Sequence, residues 1–170
     1  MRARSFWSYA GRVPESLREL VAERLAQVGP EARDAASCAA LLGYRFEGSL
    51  VGACAGLSRA RASEAFACMR NLDLIVREPG VPARYRFRHA LIQAAVCDAL
   101  PVERRRTLHA RIAAVLEALP DAGRRVEQLA YHWSAAGVES KAAHYCERAA
   151  QAALLLGSPG DAAVWRARVS

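Results

Sequence analysis

A single histidine stands where the chain changes its period. In Tyr85-Arg86-Phe87-Arg88-His89-Ala90-Leu91-Ile92 the apolar residues first alternate, with Tyr85 and Phe87 set against Arg84, Arg86 and Arg88. They then recur with helical spacing at Leu91, Ala94, Ala95 and Leu100. The pattern predicts a strand that ends and a helix that begins within two residues of His89. Imidazole changes charge near neutral pH, and a helix N-terminus draws anions to its open N–H groups. The chemistry on offer is therefore contact with a nucleotide phosphate. The plainer reading is that His89 caps the helix or packs beneath the strands.

Two further groups carry polar or aromatic chemistry. Ser58 predicts the N-cap of a helix with Ala62, Ala65, Phe66, Met69 and Leu72 on one face. The other face offers Arg59, Arg61 and Arg70 for contact with DNA or another anion, interrupted by Glu64, Ala67 and Cys68. Arg59 and Arg61 oppose the helix dipole, at a cost of roughly a few tenths of a kcal/mol each unless an anion pairs with them. A solvated face in an arginine-rich chain is the competing reading. Further along, Tyr131, Trp133 and Tyr145 could line a groove for a partner between helical hairpins, or pack the hairpins together.

Catalytic constellations are missing from the sequence. No Gly-x-x-x-x-Gly-Lys-Ser/Thr loop occurs, and the single lysine, Lys141, follows no glycine loop. Gly-x-Ser-x-Gly, His-Glu-x-x-His and the glycine-rich dinucleotide loop are absent too. The expectation is a chain without catalytic residues or a cofactor of its own. His89, His109, His132 and His144 lack metal-ligand spacing, and Cys38, Cys54, Cys68, Cys97 and Cys146 form no Cys-x-x-Cys pair, so no metal is expected. The cysteines read as small reduced core residues.

The elements that must position these residues follow from the periodicity. Residues 1–13, including Trp7 and Tyr9, lack a period and read as a connecting arm. Pro14 opens a helix carrying Leu17, Leu20, Val21, Leu25 and Val28. A second helix is expected over 31–42, with Gly43 as a left-handed C-cap, and a third over 49–55, ended by Gly56. After the Ser58 helix, Leu74-Ile75-Val76-Arg77 and Arg84-Tyr85-Arg86-Phe87 flank the turn formers Glu78-Pro79-Gly80-Val81-Pro82. Helices followed by one hairpin predict a winged-helix domain over 14–88.

The rest predicts helix alone, over 89–170. Pro101 starts a helix with Leu108, Ile112, Val115, Leu116 and Leu119, and Gly137 and Gly157 punctuate the helices beyond it. Leu129, Ala130, Trp133, Gly137, Ala142, Cys146 and Ala149 have spacings close to a tetratricopeptide unit, although the Gly137–Ala142 relation returns after 20 residues rather than about 34. Stacked helical hairpins are expected. The helical pattern still runs at Ser170, which predicts an array continuing past this sequence.

Composition narrows the class. With 170 residues and 53% hydrophobic content, the chain can bury a core as one ordinary domain or two small ones. The formal charge of +7 would point to an anionic partner, but 23 of 24 basic residues are arginine and alanine occurs 37 times. That bias has the look of a GC-rich coding sequence, so the charge weighs little for nucleic acid. No signal-peptide core and no run of transmembrane length is present, which leaves a cytoplasmic location as the default.

Four strings taken in order resemble one bacterial family. They are Val13-Pro14-Glu15-Ser16-Leu17-Arg18-Glu19-Leu20, the Tyr85–Leu91 junction, Leu100-Pro101 through Leu108-His109, and Leu129-Ala130-Tyr131-His132-Trp133. Over residues 13–168 they are similar to the region after the ATPase core of STAND-type signalling ATPases, including LuxR-type and cyclase-linked regulators. The resemblance implies a mainly α chain: a winged helix with a short β-hairpin, then a tetratricopeptide-like array. It implies a non-catalytic module of signal transduction and transcription regulation. Its partners would be the nucleotide-binding domain of the parent protein, which alone would hold ATP or ADP, and a protein or small-molecule signal on the helices. In related plant resistance proteins and apoptotic ATPases a histidine at the place of His89 touches the ADP phosphate. Ala90 stands where the plant pattern has an aspartate, so no second contact carries over. A winged helix that binds DNA and a plain interaction scaffold are the alternatives.

Overall fold

The computed structural model describes residues 13–80 and 83–168; residues 1–12 of the arm, with Trp7 and Tyr9, and Val81 and Pro82 of the turn, lie outside them. The chain is mainly helical, with one small antiparallel sheet. It divides into two compact units between Val102 and Glu103.

The first unit is wrapped around one helix. In order it contains α1 (Glu15–Ala26), α2 (Pro30–Leu42), β1 (Arg45–Glu47), α3 (Gly48–Ala55), α4 (Arg59–Asn71), β2 (Ile75–Arg77), β3 (Arg84–Phe87) and α5 (Ala90–Asp98). From Ala35 to Leu42 every residue of α2 is buried, as expected of a helix that is apolar all round. Helices α3, α4 and α5 pack on it. Arg33 of α2 reaches back to the carbonyls of Leu25 and Val28 at 3.1 and 3.2 Å, satisfying acceptors that the end of α1 leaves open. Val21, Leu25 and Val28 are buried as the spacing predicts, whereas Leu20 is 41% exposed.

Strand β3 lies at the centre of the sheet, in the order β1-β3-β2. Phe46 pairs with Tyr85 on one side of it, and Ile75 with Phe87 on the other. The strand β1 is absent from the sequence expectation, since three residues are too short to show a period. Its Phe46 joins Phe66, Tyr85 and Phe87 in an aromatic cluster with ring centroids 4.8–6.4 Å apart. Gly48 allows this close approach. A Cβ there would lie 2.9 Å from ring atoms of both Phe66 and Tyr85. Gly43 ends α2 at φ 132° and ψ −177°, a conformation open to glycine but not the left-handed cap expected.

Helix α5 belongs to this unit, which moves the boundary past the 88/89 junction drawn from the period change. It packs on α1 and α2, and Gln93 donates from within the core to the Ala40 carbonyl at 2.9 Å. A period change marks an element's end; burial decides where a domain ends.

The second unit is helical, built from α6 (Val102–Glu117), α7 (Val126–Ala136), α8 (Glu139–Leu155) and α9 (Pro159–Arg166), with a 3₁₀ turn at Ala122–Arg124. Gly137, at φ 75°, makes the left-handed turn that ends α7, and α8 starts two residues later and packs along α7. Helix α8 buries Ala142, Ala149, Ala150 and Ala153, small residues that let neighbouring helices approach.

Candidate functional site

His89 occupies the N-cap of α5 in an extended conformation, φ −140° and ψ 148°. The strand leading to it is fixed by Phe87 N–H to Tyr44 O at 3.0 Å and Arg88 N–H to Leu74 O at 2.9 Å. Its own carbonyl accepts from Ile92 and Gln93, while its ring gives the helix no cap. The side chain is exposed, as is that of Ala90. Packing beneath the strands is thereby replaced by an open imidazole beside the first turn of a helix. Of its arginine neighbours, Arg88 is held by Asp73, Arg86 by the Tyr44 hydroxyl at 3.0 Å, and Arg84 by Glu47 at 3.7 Å.

The three arginines of α4 are not brought together. With about 100° per residue, Arg59 and Arg70 fall within about 20° of each other and Arg61 about 160° from Arg59. They flank the buried stripe of Ala62, Ala65, Phe66 and Met69 on opposite sides. Ser58 caps the helix, accepting from Arg61 N–H at 3.4 Å. The anion that relieves the dipole conflict is internal: Glu31 of α2 pairs with Arg61 at 2.8 Å. Residues 13–102 hold eleven arginines against ten carboxylates, so the unit carrying this helix presents little net charge to a polyanion.

The three aromatic residues divide into two clusters in the second unit. Trp133 and Tyr145 are buried and meet around Lys141. The Lys141 ammonium lies 4.4 Å from the centre of the Trp133 ring and 2.6 Å from Glu117 Oε2, and the Tyr145 hydroxyl donates to Glu117 Oε1 at 2.7 Å. The hydrogen bond from Lys141, then that from Tyr145, holds the Glu117 carboxyl below its ordinary range. Burial first, and Glu117 second, push the Tyr145 phenol up. Tyr131 faces elsewhere, edge-on to His109 and His132 at 5.6 and 5.1 Å between centroids.

Those two histidines are the polar feature missed by the sequence expectation. His109 of α6 and His132 of α7 are 3% and 0% exposed, with their Nδ1 atoms 2.8 Å apart. Burial, with the Arg105 charge second, lowers His109 from 6.5 to about 4; burial, with His109 second, lowers His132 to about 3. Both rings are neutral at pH 7. The hydrogen bond then demands opposite tautomers, one Nδ1–H donating to one bare Nδ1. The sequence did carry a signal. His109 shares the helical phase of Ile112, Ala113 and Leu116, and His132 that of Leu129 and Trp133, all of them buried.

Among the described residues no group of three or more His, Cys, Asp or Glu could hold a metal ion. None of the five cysteines is in a disulfide: Cys38, Cys54 and Cys146 are buried and Cys97 is half-buried, whereas Cys68 is exposed and not a core residue. No described helix is long and apolar enough to cross a membrane. No family model, curated protein or solved structure matches this chain.

Proposed function

We propose that the chain is a regulatory module of a STAND-type signalling ATPase. In this reading the first unit is a winged helix that reads the nucleotide state of an adjoining ATPase domain. The second is a tetratricopeptide-like scaffold that receives a protein or small-molecule signal. Support for the winged helix comes from α3 and α4, joined by the three residues Gly56-Leu57-Ser58 in the manner of a helix-turn-helix, with the β2–β3 hairpin following. Support for the scaffold comes from α7, α8 and α9 packing in succession through alanine faces.

The observation that carries the reading is the exposed His89 ring at the N-cap of α5, uncommitted to capping. A phosphate there would meet an imidazole and the positive end of a helix together. Nucleotide held in this way favours a closed state, and a signal on the helices favours an open one, a population shift between two arrangements. A charge-assisted hydrogen bond contributes about 1.5–3 kcal/mol. His89→Ala should therefore weaken ADP binding by roughly 10-fold or more. The measurement is a titration of fluorescent ADP into the ATPase domain joined to this chain, wild type against variant. Unchanged affinity, with the variant's circular dichroism intact, would remove His89 from the nucleotide site.

A further inference from the structure

The polar groups between α6 and α7 play no part in nucleotide sensing as proposed, and their arrangement has a consequence of its own. His109 and His132 face each other through Nδ1 in a site closed to water. Arg105 on α6 is near enough for its charge to act on His109, Tyr131 on α7 stands edge-on to both rings, and the Arg168 guanidinium beyond α9 lies 5.8 Å from the Tyr131 ring centre. These two arginines are both positive. One added proton can still be shared between the two Nδ1 atoms, although Arg105 opposes it. A second would set two N–H groups against each other at 2.8 Å.

Imidazole in water takes up a proton near pH 6.5. We infer that this pair makes the α6–α7 joint an acid-sensitive hinge: parting the helices exposes both rings and takes up two protons, so mild acid drives the joint open. The sign follows from linkage. Both folded pKa values lie below 6.5, so the pair's full stabilising contribution is present above that pH and is lost progressively as pH falls toward 4. The effect starts well above the pH at which the closed pair would itself titrate.

Amide hydrogen exchange along α6 and α7 in the intact chain, from pH 6.5 to 5, tests this after correction for intrinsic exchange. Glu117, Asp121 and Glu147 have pKa values held below the ordinary carboxylate range and stay outside that window. Two-proton uptake predicts an opening constant that rises toward about 100-fold per pH unit below pH 6. His109→Asn or His132→Asn should reduce this to about 10-fold, and the double variant should remove it. Nitrogen-15 spectra of the wild-type imidazoles at pH 7 provide a readout independent of any variant, and opposite tautomers are expected. A wild-type slope of one proton or less, equal slopes in wild type and variants, or two identical tautomers would each overturn the hinge.

Discussion

Both units pack apolar helices, and the first also has the Arg33, Gln93 and Glu31–Arg61 ties, but they differ in what else fixes their elements. In the first, position is set by ring packing and backbone: Phe46 meets Phe66, Tyr85 and Phe87, Gly48 makes room for Phe66 and Tyr85, and ladder hydrogen bonds fix the register of β3. In the second, polar side chains tie the helices, His109 to His132 between α6 and α7, and Glu117 to Lys141 and Tyr145 between α6 and α8. Apolar packing is insensitive to pH and tolerates little change in volume. Polar ties have directional geometry and respond to protons. The difference places mechanical precision around His89 and responsiveness in the helical array.

The sharpest way to break this comparison is Phe87→Ala. Phe87 is fully buried on the central strand against the Phe46 ring, and its removal should destabilise the first unit by about 3–5 kcal/mol. Urea unfolding monitored by amide exchange in β3 and α4 measures it, and a loss under 1 kcal/mol would mean that the cluster is not what holds the sheet. Gly48→Ala probes the same packing from the backbone. The added methyl meets ring atoms of Phe66 and Tyr85 at 2.9 Å and the Ala83 carbonyl at 3.2 Å, so a loss of about 1–3 kcal/mol is expected by the same measurement. Smallest is Glu117→Ala. Glu117 and Lys141 have side chains 32% and 45% exposed, and water screens the pair, which leaves an effect of about 1 kcal/mol or less. Trp133 fluorescence reports it directly, because the Lys141 ammonium rests over that indole. A loss as large as that of Phe87→Ala would show that the polar ties support the array as strongly as rings support the sheet.

What could be read in the sequence depended on how far each signal reaches along the chain. Ser58 with its apolar stripe, the strands around the Pro/Gly turn, and the glycine stops at Gly56 and Gly137 are local signals, and the elements appear where they predict. The expected period change at His89 corresponds to the β3–α5 junction in the structure. Strand β1 escaped notice because its pairing to β3 is long-range and three residues show no alternation. The histidine pair escaped for the same reason: its partners are 23 positions apart on different helices, a separation that resembles no ligand motif. Glu117, Lys141 and Tyr145 likewise meet across two helices. Arg61 looked available to an outside anion because helical phase says nothing about the Glu31 carboxylate on a neighbouring helix.

The strand order β1-β3-β2 also dictates a sequence of events during synthesis. Strand β1 leaves the ribosome with α2, yet its hydrogen-bonding partner follows about 40 residues later, a non-local pairing of the kind that slows folding. Until Arg84–Phe87 emerges, β1 and β2 have no strand between them, and Phe46 lacks the rings of Tyr85 and Phe87. The nascent chain therefore holds an unfinished sheet with an exposed aromatic surface until the residues next to His89 are made. The last strand translated is the one that closes the sheet.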